Sequence, residues 1–295
     1  MITTTIIFAA LLAGQTSLEP DHARNSIFKL VLDEGLESSD KKVTLPKPRL
    51  VDGQDAESQR AALRETAGSD RALDDLLRDS VTAPYIIKVR DLKSSNATIR
   101  QADVWFVAYS ELKQVDFGQE AARTDQKEVE VANMWFQTRL LKENDLRGSG
   151  IKAAPAESGQ NQWYSHVHSK LLDRIDFEVT NLIVASQSAD SIVVASRTDP
   201  AFAKAGSLAN AWKPIPRDGG SKTEITPKPY EGGMSYAKIS RLAIKPGALL
   251  VEIHMAFVEP DGWFQGAPIL RSKFSVAAQD QIRTLRRELA KKRGK

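Results

Sequence analysis

The residues with the clearest chemical potential are two histidines one position apart, His166 and His168. On a strand, alternate side chains share a face, so both imidazoles would project together. Neutral imidazole is a ligand for zinc and copper, and a pair needs a third donor to hold a metal. His254 and Glu252, on one face of a later strand, are the candidates for that donor. The plainer account is two surface histidines beside Trp163 and Tyr164. Carboxylates recur at Asp173, Asp176, Glu178, Glu252 and Glu259. Two carboxyl groups suitably spaced serve as acid and base in glycoside hydrolysis. The plainer account here is a solvated sheet face with ion pairs to Arg197 or Arg241.

Other chemistry is thinly represented. There is no G-x-S-x-G elbow, no phosphate-binding Walker loop and no G-x-G-x-x-G turn. The chain has no cysteine, which removes disulfides, thiolate zinc sites, iron–sulfur clusters and cysteine nucleophiles. No cofactor is called for, and a metal is the one exception the histidines leave open. Aromatic residues form the other notable set. Trp105, Tyr109, Trp135, Trp212 and Trp263 are the candidates for lining a ligand site, with Phe136, Trp163 and Phe264 beside them. Ordinary core packing accounts for most rings of this kind. Trp212 stands apart because it falls in a long loop.

The elements that must position these residues can be read from periodicity. Asn25 to Leu36, Asp55 to Ala67 and Asp70 to Arg78 read as helices; Gly68 serves as the C-terminal stop and Ser69 as the next cap. Strands follow at Tyr85–Leu92, Val104–Leu112, Glu128–Leu141, Ile175–Ala185, Ile192–Arg197, Tyr236–Ile244 and Leu249–Val258. The segment from Val104 is apolar on both faces, which marks a central strand or one bordering a cavity. Leu249, Val251, Ile253, Met255 and Phe257 give the last strand a clean core-facing side. Loops are expected at 148–161 and at 200–233. A C-terminal helix near Ser275–Lys291 carries the stripe Ala278, Ile282, Leu285, Leu289. Short turns between strands and helices at both ends of the run predict an α+β fold: an antiparallel sheet with N-terminal helices and a long C-terminal amphipathic helix.

That layout is similar to the helix-grip fold of START-like lipid-binding and cyclase-type proteins. The likeness lies in Leu249 to Leu289: a long final strand, a Pro-Asp-Gly-Trp turn and a terminal amphipathic helix. It implies a hydrophobic cavity between helix and sheet. The insert at Pro200–Gly233 departs from the simplest form of that fold. Glu259-Pro260-Asp261-Gly262-Trp263-Phe264, with Leu270-Arg271-Ser272-Lys273, also resembles the end of a group of uncharacterised exported bacterial proteins. That likeness implies a stand-alone exported protein.

At 295 residues and 41% hydrophobic, the chain can bury a substantial core. Residues 1–17 read as a signal peptide, with the apolar run Ile6–Ala13 too short to span a bilayer. Residues 18–295 then form a single exported domain, periplasmic, in the cell envelope or secreted, with no transmembrane segment. The formal net charge is only +3. Seven cations against Glu288 give the last thirteen residues +6, leaving −3 for the rest. Cations at a helix C-terminus complement its dipole, and no interleaved aromatic motif supports a nucleic-acid partner. The expected partner is an apolar or amphipathic small molecule, bound without catalysis. A metal-assisted or carboxylate-based hydrolase and a structural or interaction protein of the envelope are the alternatives.

Overall fold

The computed structural model describes residues 22–115, 126–151, 161–216, 225–264 and 269–293. Residues 1–17, read above as a signal peptide, and most of the expected loop at 148–161 lie outside the described residues. Helix α1 (Ser26–Asp33) starts where the Asn25 side chain accepts the Phe28 N–H. Gly35, at φ +77°, ends it against the Val43 carbonyl, where any Cβ would collide. A small hairpin follows, β1 (Leu36–Ser38) with β2 (Lys41–Val43). Helices α2 (Ala56–Ala67) and α3 (Asp70–Leu76) form the expected hairpin, capped by Asp55 and Ser69 and separated by left-handed Gly68.

The chain then builds one large antiparallel sheet. Its strands are β3 (Ile86–Lys93), β4 (Ala97–Tyr109), β5 (Gln126–Val131), β6 (Met134–Leu140), β7 (Asn161–Leu171), β8 (Ile175–Gln187), β9 (Ser191–Thr198), β10 (Ala211–Pro214), β11 (Lys228–Pro229), β12 (Gly233–Arg241) and β13 (Ala248–Pro260). The short helix α4 (Glu143–Gly148) sits between β6 and β7, and α5 (Ile269–Arg293) ends the described chain. The strand order is β3-β4-β13-β12-β9-β8-β7-β6-β5, with β10 and β11 attached beside β8. The fold is α+β, as the pattern of short turns requires.

Several segments differ from the sequence reading, among them β1–β2 and β7, which fall outside the expected strands. The single strand expected over Glu128–Leu141 is a hairpin of β5 and β6, turning at Ala132 and Asn133, both at positive φ. That is the dihedral pattern of a tight two-residue turn whose twist matches the strands. No glycine announces it, because asparagine tolerates this conformation. The expected loop at 200–233 contains β10 and β11, and β10 pairs with β8 from Ala211↔Glu178 to Pro214↔Ile175. The basic C-terminal segment is not uniformly solvated. Arg286 is 6% exposed. Its Nε donates to the Val107 carbonyl at 2.9 Å, Nη2 to Pro84 at 3.1 Å, and Nη1 to Ala83.

The sheet is covered on both faces, which explains why β4 is apolar on both. The inner face carries Val104, Phe106, Ile183, Val194, Ala237, Leu249 and Val251 against Ile282 and Leu289 of α5. The same face continues through Phe136, Val167, Phe177 and Met255 toward Leu270, Phe274 and Ala277. The outer face is covered by the N-terminal layer in two patches. Ile27 and Val31 of α1 pack on Val184, Ala195 and Tyr236. Leu63, Leu73 and Leu76 pack on Val107 and Leu250.

Arg286 joins these layers, since it fastens α5 to β4 and to the segment before β3. Among the described residues its guanidinium pairs with no carboxylate; burial lowers its pKa to about 10, and it donates to carbonyl oxygens while lying over the Phe106 ring. Removing it leaves buried acceptors unanswered, a loss of about 2–3 kcal/mol for bonds from a charged donor. Arg286→Met is expected to lower the urea midpoint by that amount with an unchanged m-value. The exposed Arg287→Met should stay within about 0.5 kcal/mol of the parent.

Candidate functional site

Between the two outer patches lies a buried chain of charge. Asp103 on β4, and Glu252 and His254 on β13, share the outer face with Trp105, Tyr236 and Lys238. Glu252 and His254 are both 0% exposed. His254 Nδ1 lies 2.7 Å from Asp103 Oδ1, and its Nε2 faces Glu252 Oε2 at 3.9 Å. Arg90 reaches in from the edge strand to Asp103 Oδ2 at 2.6 Å. Burial opposes the charge on His254, but Asp103 and Glu252 outweigh it and raise its pKa. The sequence had hidden this cluster among apolar neighbours. The available signal was two ionisable residues, Glu252 and His254, on the back of an otherwise apolar strand.

The extended segment before α2 seals this cluster with its main chain. Glu252 accepts the N–H groups of Arg49 and Leu50, at 2.8 and 3.3 Å, and the Trp105 indole at 3.1 Å. The Tyr236 hydroxyl donates to the Pro46 carbonyl. Lys238 is buried and donates to Leu50 O and to Asp52 Oδ1, each at 2.9 Å. Burial opposes ionisation of Asp52, but the Ser188 hydroxyl, Lys238 and the Ser191 hydroxyl lower its pKa to about 2. His22 joins the end of this network through Ser191 Oγ at 2.7 Å and Ser186 Oγ at 2.9 Å. A cleft of about 550 Å³ opens beside Asp52, between this segment and the turn joining β12 to β13.

The predicted metal ligands are not brought together. His254 lies four strands from His166 and His168, roughly 19 Å at about 4.8 Å per strand. Among the described residues no group of three or more His, Asp or Glu side chains is arranged to hold a metal ion. His166 and His168 do share a face, but each is engaged across strands. His166 Nδ1 meets Thr180 Oγ1 at 2.9 Å, and His168 Nε2 meets Asp176 Oδ1 at 2.7 Å. Burial, with Arg139 and His168 adding to it, pushes His166 down to about 4. Asp176 is held below its usual range by His168, and Glu178 is raised by burial. The cross-strand partners of Asp176 are His168 and Lys213, in place of the expected Arg197 and Arg241. Glu259 is buried against Arg100, and Asp173 sits in the turn after β7 at φ +53°.

The aromatic candidates fall into separate places. Trp212 and Trp263 are buried, with ring centres 6.2 Å apart, and Tyr230 and Phe177 stack on Trp263. Trp212 is thus a strand residue in the core, contrary to its loop reading. Trp105 belongs to the outer charge cluster. The Tyr109 hydroxyl donates to the Leu77 carbonyl, and Trp135 meets His168 edge-on at 5.1 Å. These five residues do not form one pocket. No helix among the described residues is long and apolar enough to cross a membrane. No protein-family model matches the chain, and no curated protein matches it.

The sign of the His254 effect is fixed by its raised pKa. A histidine whose folded pKa is raised contributes stability that is fully present below its unfolded value, about 6.5, and is lost as pH rises through the folded value. Comparing the unfolding free energy of the parent and His254→Gln from pH 5 to 10 should show the gap widest near pH 6. It should narrow steadily on the alkaline side.

Proposed function

We propose that this is an exported, non-catalytic protein that holds an apolar or amphipathic molecule between the inner face of the sheet and α5. The observation that carries this reading is Ile253. It sits mid-strand on β13, with Val104 and Ala237 opposite it on the neighbouring strands, yet it remains partly accessible. Ala278 and Leu285 of α5 are likewise partly buried and pack against the same inner-face cluster. Ala237 and Ala278 contribute small side chains to that cluster, and the proposed ligand sits beside them.

The polar end of such a ligand has candidates to meet. Thr138 Oγ1, Trp163 Nε1, Ser165 Oγ and Ser196 Oγ are buried on the same face without a protein partner. Each such group costs about 1–3 kcal/mol when left unanswered, and each is closed to solvent, so a ligand reaches one only as a neighbouring side chain moves aside. The non-catalytic reading is supported by how the ionisable groups are used. Asp103, His254, Glu252, Lys238 and Asp52 all bind partners within the fold.

The test uses the uncharged fluorophore N-phenyl-1-naphthylamine with the purified mature protein. Saturable enhancement at one site is expected. Ile253→Trp and Ala278→Leu, which fill the gap from opposite sides, should each weaken uptake roughly tenfold, equivalent to about 1.4 kcal/mol, while cooperative melting persists. A folded parent protein that shows no saturable uptake defeats the proposal. Intact mass of protein taken from its own envelope is expected to lack residues 1–17.

A further inference from the structure

The segment between β2 and α2, residues 44–55, contains neither helix nor strand and is held over the outer face of the sheet by buried groups. The N–H groups of Arg49 and Leu50 both end on Glu252, which is wholly buried. Among the described residues, His254 is the one cation-forming side chain within salt-bridge reach of that carboxylate. Its imidazole lies between two carboxylates, with Nδ1 2.7 Å from Asp103 Oδ1 and Nε2 3.9 Å from Glu252 Oε2. An imidazolium presents an N–H to each; a neutral imidazole presents an N–H to one and a lone pair to the other. Nδ1 holds the short bond to Asp103, so the neutral ring turns its lone pair toward Glu252. Nε2 is buried, with no hydrogen-bond partner to offset that repulsion.

The groups around His254 leave the charge of this cluster to its proton. From β4, Asp103 is bound to the ring, and Arg90 of β3 pairs with the other Asp103 oxygen at 2.6 Å. From β12, the Tyr236 ring centre lies 4.8 Å away; burial, Glu252 and Asp103 raise its pKa, so it stays a neutral phenol. Lys238, also on β12, is taken by Asp52 and the Leu50 carbonyl. Asp52 faces His22 as well, at 3.6 Å, while Arg49 pairs with Glu65 and Lys88 of β3 sits over the Trp105 ring. Loss of the His254 proton therefore leaves Glu252 a buried anion with neutral donors alone, which burial penalises heavily. Hydrating the carboxylate relieves it, and the Arg49–Leu50 main chain that covers it must lift for water to enter.

We infer that residues 44–55 form a proton-controlled strap, seated while His254 is an imidazolium and lifting from Glu252 once the ring is neutral. Leu50–Gln54 of the same segment line the cleft of about 550 Å³, with Val51 64% exposed, so the position of the strap also sets the shape of that cleft. The sign follows from linkage. The seated strap favours the protonated ring, so seating is strongest at low pH and weakens as pH rises through the titration of the seated ring.

The test is amide hydrogen exchange of the purified protein from pH 5 to 9.5, expressed as protection factors, beside an NMR titration of the ¹⁵N-labelled His254 ring. Arg49 and Leu50 should lose protection about tenfold across the ring titration, equivalent to one pKa unit, and level off above it. Ile282 of α5, on the opposite face of the sheet, should keep its protection. Arg90→Gln removes an exposed cation that competes for Asp103, so the ring should hold its proton more tightly and the step should move to higher pH. A purely structural role for Arg90 would leave the midpoint in place. His254→Gln should give protection at Arg49 and Leu50 that does not vary with pH; Arg90→Gln carries the test if that variant fails to fold. Constant protection at Arg49 and Leu50 while the ring titrates overturns the inference, as does a ring that keeps one charge state throughout. An equal fall at Ile282, a step that survives in His254→Gln, or an unmoved midpoint in Arg90→Gln each overturns it too.

Discussion

A carboxylate buried at the middle of a strand must be answered, and Glu252 is answered by the main chain of Arg49 and Leu50 about two hundred residues earlier in sequence. This contact determines where the N-terminal layer lies. Buried ion pairs gain little net stability but cost heavily when one partner is removed. The chain Arg90–Asp103–His254–Glu252 therefore fixes a geometry more than it deepens a free-energy well. An extended segment with no helix or strand of its own gains a defined seat. The cleft beside Val51 exists because Lys238 and Glu252 hold that segment at a set height above the sheet.

The same logic explains the two characters of the sheet. The inner face of β13 is apolar from Leu249 to Phe257 and belongs to the clusters that include residues of α5. Its outer face alternates Leu250, Glu252, His254, Ala256 and Val258, so two ionisable residues are flanked by apolar ones. Helices α1, α2 and α3 pack on the apolar positions, and the segment between β2 and α2 packs on the ionisable ones. The division follows from what each cover can offer. A helix has spent its main-chain donors internally, whereas an extended segment still has its N–H groups free.

How much of this was legible in the sequence depended on the range of the interaction. The helix stop at Gly68, the cap at Ser69, the β8–β9 hairpin and the terminal helix follow from local periodicity and turn chemistry, and they stand in the structure. The β5–β6 turn was missed because Ala132 and Asn133 carry no glycine. Strand β10 was missed because four residues offer too little alternation to recognise; its partner β8, not its own pattern, makes it a strand. Arg286 was read with the other basic residues of the tail because only the tertiary fold shows it facing Val107, Ala83 and Pro84.

The histidines illustrate the limit most sharply. Their spacing correctly put His166 and His168 on one face, and equally correctly put Glu252 and His254 on one face. It could not reveal that β7 and β13 are separated by β8, β9 and β12. Strand order is set by which hairpins close first and by which edges remain to pair, and neither is written in the residues of the two strands concerned. Once that order is known, the chemistry of each histidine is decided by its neighbour across the ladder. Asp176 claims His168, Thr180 claims His166, and Asp103 claims His254. Each imidazole is held through one ring nitrogen at 2.7–2.9 Å, and that contact sets its orientation on the sheet.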